Sequence, residues 1–274
     1  MQYGSAARDG RIPAPTQLTL PRRERLILTS GLVLLAAVAW TYMLYDHWRM
    51  HSMPMSEMWM PPTGSLSWAA ADFWFTFVMW SVMMVAMMVP TAVPMITMYA
   101  VVAKNQAAAN DAYARISLFI LGYVVAWGAF SMFATLVQWF LHGGSLLTPM
   151  MENNSRLLAG LVLTVAGVYQ FTPWKDVCLA QCRTPLGFLL TEWRDGRTGG
   201  IIMGFKHGAF CVGCCWALML ILFAVGVMNM LWVVGITGFV LAEKLIPAPV
   251  LVIRATSGCL LIGWGVWLLS GSIV

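Results

Sequence analysis

The sequence predicts an all-α fold: a polytopic transmembrane helix bundle of about seven spans, N-terminus inside and C-terminus outside. Three observations carry this expectation. First, of 274 residues 60% are hydrophobic and 10% charged, whereas a soluble domain carries about 45–50% apolar and about 25% charged residues. With a mean hydropathy of +0.76, the chain cannot wrap itself in a polar surface. A soluble enzyme, a disordered chain and a nucleic-acid-binding module are therefore excluded, and the partners expected are a lipid bilayer and a metal ion. Second, the chain contains seven apolar runs of helical length, since crossing hydrocarbon takes roughly 20 apolar residues. Helix is the element of choice because an open sheet in lipid leaves backbone groups unpaired. Third, fourteen of the sixteen Lys and Arg residues fall on one side of that seven-span arrangement, leaving Arg49 and Arg156 on the other. Basic loops face the cytoplasm, so the chain reads as a multi-pass protein of the cell inner (plasma) membrane.

The elements follow in order. Residues 1–25 hold Gly10, Pro13, Pro15 and Pro21 and read as a flexible cytoplasmic tail rather than a cleaved leader. Residues 26–273 form a single transmembrane domain. The first span, 26–45, leads to an outer loop, 46–72, rich in Met and His. Its His47, His51, Met53, Met55 and Met58 are candidate soft-metal acceptors. Asp72 precedes the second span, 73–102, and is placed to anchor its helix N-terminus. That span carries Met83 and Met87 as one i, i+4 pair and Met84 and Met88 as another, ahead of Pro90 and Pro94. Each proline removes a backbone donor, and a kinked helix at membrane depth lines a cavity or a helix contact. Thirteen of the 21 methionines lie between Met43 and Met98. Methionine also fills irregular gaps in a core, which is the plainer reading of those within the spans.

The third span, 116–141, and the fourth, 157–173, offer Tyr123, Trp127, Gln138, Tyr169 and Gln170 as interhelical hydrogen-bond partners. A cytoplasmic loop, 174–199, contains Cys178 and Cys182, which share a face if that stretch is helical. The fifth span, 200–224, carries two patterns. Gly200, Gly204 and Gly208 form a small-residue ladder that lets another helix approach closely, inside the chain or across a C2 dimer. The segment of Cys178 and Cys182 is the neighbour expected there. His207, Cys211 and Cys214 lie within about 60° of one another on a helix, and Cys215 widens the arc to about 100°. The sixth span, 229–243, is short, and Glu243 and Lys244 at its end read as interfacial. The seventh, 249–270, carries the lone Cys259, which reads as a packing residue. Spans two to four and five to seven have the parity of two three-helix repeats in inverted orientation after a first helix, 1 + (3+3), with a site at the repeat interface.

Five of the six cysteines fall between Cys178 and Cys215, near the side where thiols stay reduced, which argues for metal or redox work over structural disulfides. Thiolate, thioether and imidazole suit Cu(I), with zinc as the competitor. The primary ligands expected are His207, Cys211, Cys214, Cys215, Cys178 and Cys182. The Met pairs of the second span would form a path to them from the outer loop. Neither nucleotide-binding nor covalent-haem motifs occur.

The stretches Ala86-Met-Met-Val-Pro90-x-x-x-Pro94, Thr172-Pro-Trp-Lys175-x-x-Cys178-x-x-x-Cys182-Arg-x-Pro185 and Gly204-x-x-x-Gly208-x-x-Cys211-Val-Gly-Cys214-Cys215-Trp216-x-Leu-Met219 resemble a bacterial domain-of-unknown-function family of predicted metal-binding integral membrane proteins. The resemblance covers about residues 70–270 and implies a membrane location and a metal site. It supplies no substrate or activity. The leading expectation is a soft-metal handling protein, in transport, in delivery to a periplasmic or membrane partner protein, or as a fixed metal centre. A transmembrane thiol–disulfide carrier and a non-catalytic subunit of a larger membrane complex are the alternatives.

Overall fold

A computed structural model of the chain describes residues 20–52, 54, 59–64, 67–106, 109–246 and 250–271. Among the described residues the fold is all helix, with one isolated bridge between Leu147 and Asn153. In chain order the helices are α1 (Arg22–Ser52), α2 (Ala70–Gln106), α3 (Ala109–Gly143), α4 (Arg156–Tyr169), α5 (Pro173–Arg183), α6 (Pro185–Glu192), α7 (Gly196–Leu220), α8 (Leu222–Val225), α9 (Met230–Leu245) and α10 (Val250–Ser270).

Segments within α1, α2, α3, α7–α8 and α10 are long and apolar enough to cross a membrane, and α4 with α5 makes one further span broken by a 66° bend. The chain is a membrane protein. All seven predicted spans coincide with helices, but two are short. At 1.5 Å per residue, α4 and α9 reach about 21 and about 24 Å, less than the ~30 Å hydrocarbon core. The break after α4 has a local cause. Pro173 lacks an N–H and pushes the residue before it out of the helical region. Thr172 is accordingly extended (φ −75°, ψ 142°), and its hydroxyl caps the Lys175 N–H at 3.4 Å. Pro185 opens α6 at its first position, without a side-chain cap from Thr184. The stretch 174–199, expected as a loop, is therefore mostly helix. The outer loop also begins later than residue 46: α1 meets no helix breaker before Pro54 and continues to Ser52, which puts His47 and His51 on a helix.

At the start of α2 the Asp72 carboxylate accepts the Ala69 N–H at 2.8 Å and the Trp59 indole N–H at 2.9 Å, so the residue anchors the helix as expected. Further along, Pro90 deprives the Ala86 carbonyl of its usual donor. The Trp40 indole of α1 supplies one at 3.0 Å, an interhelical bond that holds α1 to α2 at a kink site.

The glycine ladder of α7 is covered by α3. Gly200 lies against the Arg115 carbonyl, Gly204 against that of Phe119 and Gly208 against that of Tyr123. This constant offset makes α3 and α7 parallel neighbours at backbone contact distance, and a Cβ at Gly204 would overlap the Phe119 carbonyl. The neighbour expected there, the segment of Cys178 and Cys182, packs elsewhere on α7. The ladder is used inside the chain and is not free to make a dimer.

Two ionic residues expected at the interface are inside the protein. Glu243 and Lys244 are buried because short α9 ends against α2 and α5 instead of reaching water. Lys175, fully buried on α5, donates to both Glu243 carboxylate oxygens at 2.8 and 2.9 Å and to Gln170. Arg254 of α10 donates to the Gln170 carbonyl and pairs with Asp176. An ion pair survives such burial only when its remaining hydrogen-bonding capacity is met, and here the Gln170 side chain takes the further Lys175 donor.

Candidate metal centre

The site forms where α2, α3, α5, α7 and α9 converge. On α7 the helical spacing puts His207, Cys211, Cys214 and Cys215 on one buried stripe. The Cys214 and Cys215 thiols donate to the Cys211 carbonyl at 3.1 and 2.9 Å, the back-bonding that short polar side chains make within a helix. This turns both sulfurs toward the preceding turn, where Cys211 sits.

α5 supplies the second pair of thiols. Because it is helical, Cys178 and Cys182 do share a face, and that face meets α7. Cys182 Sγ lies 3.9 Å from Cys214 Sγ. Cys178 Sγ stands 2.7 Å from where a Cβ on Gly213 would be, so the missing side chain at 213 is what admits it. The Tyr169 hydroxyl donates to the Gly213 carbonyl at 2.5 Å and fixes the end of α4 to the same turn.

α2 contributes a thioether. Met88 Sδ lies 3.9 Å from Cys215 Sγ, while Met83, Met84 and Met87 are buried close behind on the same helix. α3 contributes Tyr123, whose hydroxyl donates to the Met88 carbonyl at 3.0 Å and lies 3.1 Å from Cys211 Sγ. α9 contributes Lys244, whose ammonium is 3.0 Å from Cys211 Sγ and 3.2 Å from the Thr91 hydroxyl. His207 lies in an aromatic setting made by Phe119, Tyr123 and Phe188, and its Nδ1 is buried with no partner among the described residues.

The donors gathered here are those of a soft-cation site. Two sulfurs each about 2.3 Å from one ion at the tetrahedral angle stand about 3.8 Å apart. Cys182–Cys214 and Cys215–Met88 both have that spacing. One monovalent ion together with the Lys244 ammonium balances two thiolates, and such compensation is what a buried set of charges needs. The thiols come as pairs: among the described residues, no three His, Cys, Asp or Glu side chains converge closely enough to hold an ion as they stand. A third donor would come from the thioether of Met88 or from a small movement of α5 against α7.

The structure brings together Cys182, Cys211, Cys214, Cys215 and Met88, with Cys178 and His207 beside them. It leaves His47 out of the cluster. The bonds Trp40–Ala86 and Glu24–Lys104 set α1 and α2 antiparallel, so His47 is level with residues near 80 of α2, roughly 12 Å along the axis from Met88. The side chain of His51 and residues Met53, Met55 and Met58 lie outside those described. Of the hydrogen-bond partners expected on the third and fourth spans, Tyr123, Gln138, Tyr169 and Gln170 each make a contact between helices. The Trp127 indole nitrogen is buried without a partner among the described residues. Lys244 and the second-sphere part of Tyr123 escape a reading of the sequence. The available signal was a Lys beside a Glu at the end of a span too short to reach water.

No curated protein and no solved structure matches the chain. The family PpoB2, described as a copper chaperone, matches residues 77–268, a stretch from early α2 into α10 that includes every residue of the thiol cluster. With more than two thirds of its length covered by that match, and a buried thiol and thioether cluster suited to a soft ion within it, the chain belongs to the PpoB2 copper chaperone family.

Proposed function

We propose that the chain handles copper as Cu(I) within the cell inner membrane, holding it at Cys182, Cys211, Cys214 and Cys215 with Met88, beside Cys178 and His207. The observation that carries this reading is the meeting of sulfurs from α2, α5 and α7 around Cys211, with Lys244 as built-in counter-charge. A thioether among thiolates in a dry site favours Cu(I) over zinc, which is held by thiolate, imidazole and carboxylate. Sulfur ligands of similar strength also allow an ion to be exchanged instead of trapped, as delivery to a partner protein requires.

The test is elemental analysis of the detergent-purified chain under anaerobic handling, with X-ray absorption at the metal edge. Stoichiometric copper with sulfur-dominated scattering is expected, and its loss in the Cys211→Ser/Cys214→Ser double variant. Copper unchanged in that variant overturns the site. Zinc in a four-coordinate shell overturns the identity of the ion. A chain that binds no metal and instead forms a Cys182–Cys214 disulfide on mild oxidation would turn the assignment to thiol–disulfide exchange.

A further inference from the structure

A second set of sulfurs lies at the end of the bundle where α1 finishes and α2 begins. A cavity of about 240 Å³ opens there, lined by Met50 of α1, Met60 before α2, Met79 of α2, Met151 between α3 and α4, and Met228 between α8 and α9. Of the twelve described residues that line it five are Met, in a chain with 21 Met among 274. Methionine is the side chain best able to collapse into irregular space. Five of them lining one cavity bring their thioethers to a common space, and thioether is a soft-metal donor.

Met151 adds an independent observation. Its φ is +59°, in the left-handed region where a non-glycine side chain is strained. Two backbone hydrogen bonds hold it there: its N–H donates to the Thr148 carbonyl at 2.8 Å, and its carbonyl accepts the Val227 N–H at 3.1 Å. Glycine or asparagine would fit this position at lower cost. The chain instead carries a long thioether there and keeps it almost wholly buried at the cavity wall. Asp46 and Arg49 line the same cavity, so their charges offset one another and the thioethers are its distinguishing donors.

The cavity is connected to the thiol cluster. Met79 begins an i, i+4 ladder with Met83 and Met87, beside the pair Met84 and Met88. All five are buried, and Met88 touches Cys215. Nine residues of helix, about 14 Å, thus separate the cavity from the thiols.

We propose that this cavity is an acceptance site for Cu(I), bound by thioethers alone, from which the ion passes along α2 to the stronger thiolate ligands. The proposal rests on the Cu(I) reading of the chain, and its test separates the two. The full chain in detergent is titrated anaerobically with Cu(I), and with Ag(I) as a redox-inert monovalent probe. The wild type is compared with Cys211→Ser/Cys214→Ser and with Met79→Leu/Met151→Leu/Met228→Leu. Leucine conserves apolar volume and removes only the donor. The cysteine variant is expected to keep one ion with thioether scattering. The leucine variant is expected to lose that ion and keep the thiol-bound one. Unchanged Ag(I) capacity and affinity in the leucine variant overturns the acceptance site while leaving the thiol cluster standing. Retention of both ions in the cysteine variant overturns the thiol cluster instead. Should the triple variant fail to fold, ¹³C-methyl methionine spectra of the wild type replace it: shifts of the Met79, Met151 and Met228 methyls on adding Ag(I) support the site, and their absence overturns it.

Discussion

Cys211 has more polar neighbours than any other thiol in the cluster. Its sulfur faces the Tyr123 hydroxyl and the Lys244 ammonium, and its carbonyl receives two further thiols. Neither Tyr123 nor Lys244 is a soft ligand, so in the proposed site both would act by positioning and by charge. Partners of this kind around a metal site change affinity by about 10–100-fold. Tyr123→Phe is therefore expected to weaken Cu(I) binding within that range, as read by competition with a chromophoric chelator, while the chain stays folded. Lys244→Met keeps the stem and removes the charge, leaving the thiolates of a loaded site without compensation. It should weaken Cu(I) retention at least as much, and Lys244→Arg should restore part of it. Equal affinities in all three would remove both residues from the site.

At the scale of elements, small residues and prolines carry the site's geometry. Gly204 lets α3 lie against α7 closely enough for Tyr123 to reach Cys211. Gly204→Ala forces backbone apart, since the group it meets is the Phe119 carbonyl and not a movable side-chain end. The expected outcome is a lower thermal midpoint together with loss of copper, followed by intrinsic Trp fluorescence and elemental analysis. The buried pair of Lys175 and Glu243 ties α5 to α9, the two helices that bring Cys182 and Lys244. Removing one partner leaves an uncompensated charge and costs about 3–5 kcal/mol, whereas apolar replacement of both is often close to neutral. Glu243→Leu should thus destabilise strongly and Lys175→Met/Glu243→Leu much less, a difference that thermal unfolding in detergent would reveal.

For the whole molecule, the arrangement of helix directions matters most. α2 runs against α3: Trp80 meets Gln138, and Tyr99 stacks on Phe119. α3 and α7 run together, and α4 opposes α10 through Gly160 and Gly167 against Gly265 and Gly258. These directions are the ones a seven-span path requires. With an N-terminus in the cytoplasm they place the methionine-lined cavity on the outer side and the thiols near mid-depth, level with Met88 at the middle of α2. Reporter fusions test this: a periplasm-dependent phosphatase should be active at the C-terminus and inactive at the N-terminus. The reverse pattern would make the methionine cavity an exit.

Much of this was legible in sequence because it is local. Span positions follow from runs of apolar residues, and the buried thiol stripe follows from helical period, since His207, Cys211, Cys214 and Cys215 all lie within two and a half turns. Asp72 as a helix anchor and Cys178 with Cys182 on one face are equally local. What tertiary structure alone decided is which elements meet. The glycine ladder announces a close neighbour without naming it, and α3 took the place expected of the cysteine segment. A lysine at the end of a span looks interfacial until the short α9 is seen to end inside the protein, beside Cys211. Among six buried methionines of α2, periodicity cannot choose the one that touches a thiol, because that depends on the rotation of α2 against α7. Composition and period are properties of a chain and its solvent. The identity of a partner across tens of residues is a property of packing, and it was packing that brought Met88, Lys244 and Tyr123 to the cysteines.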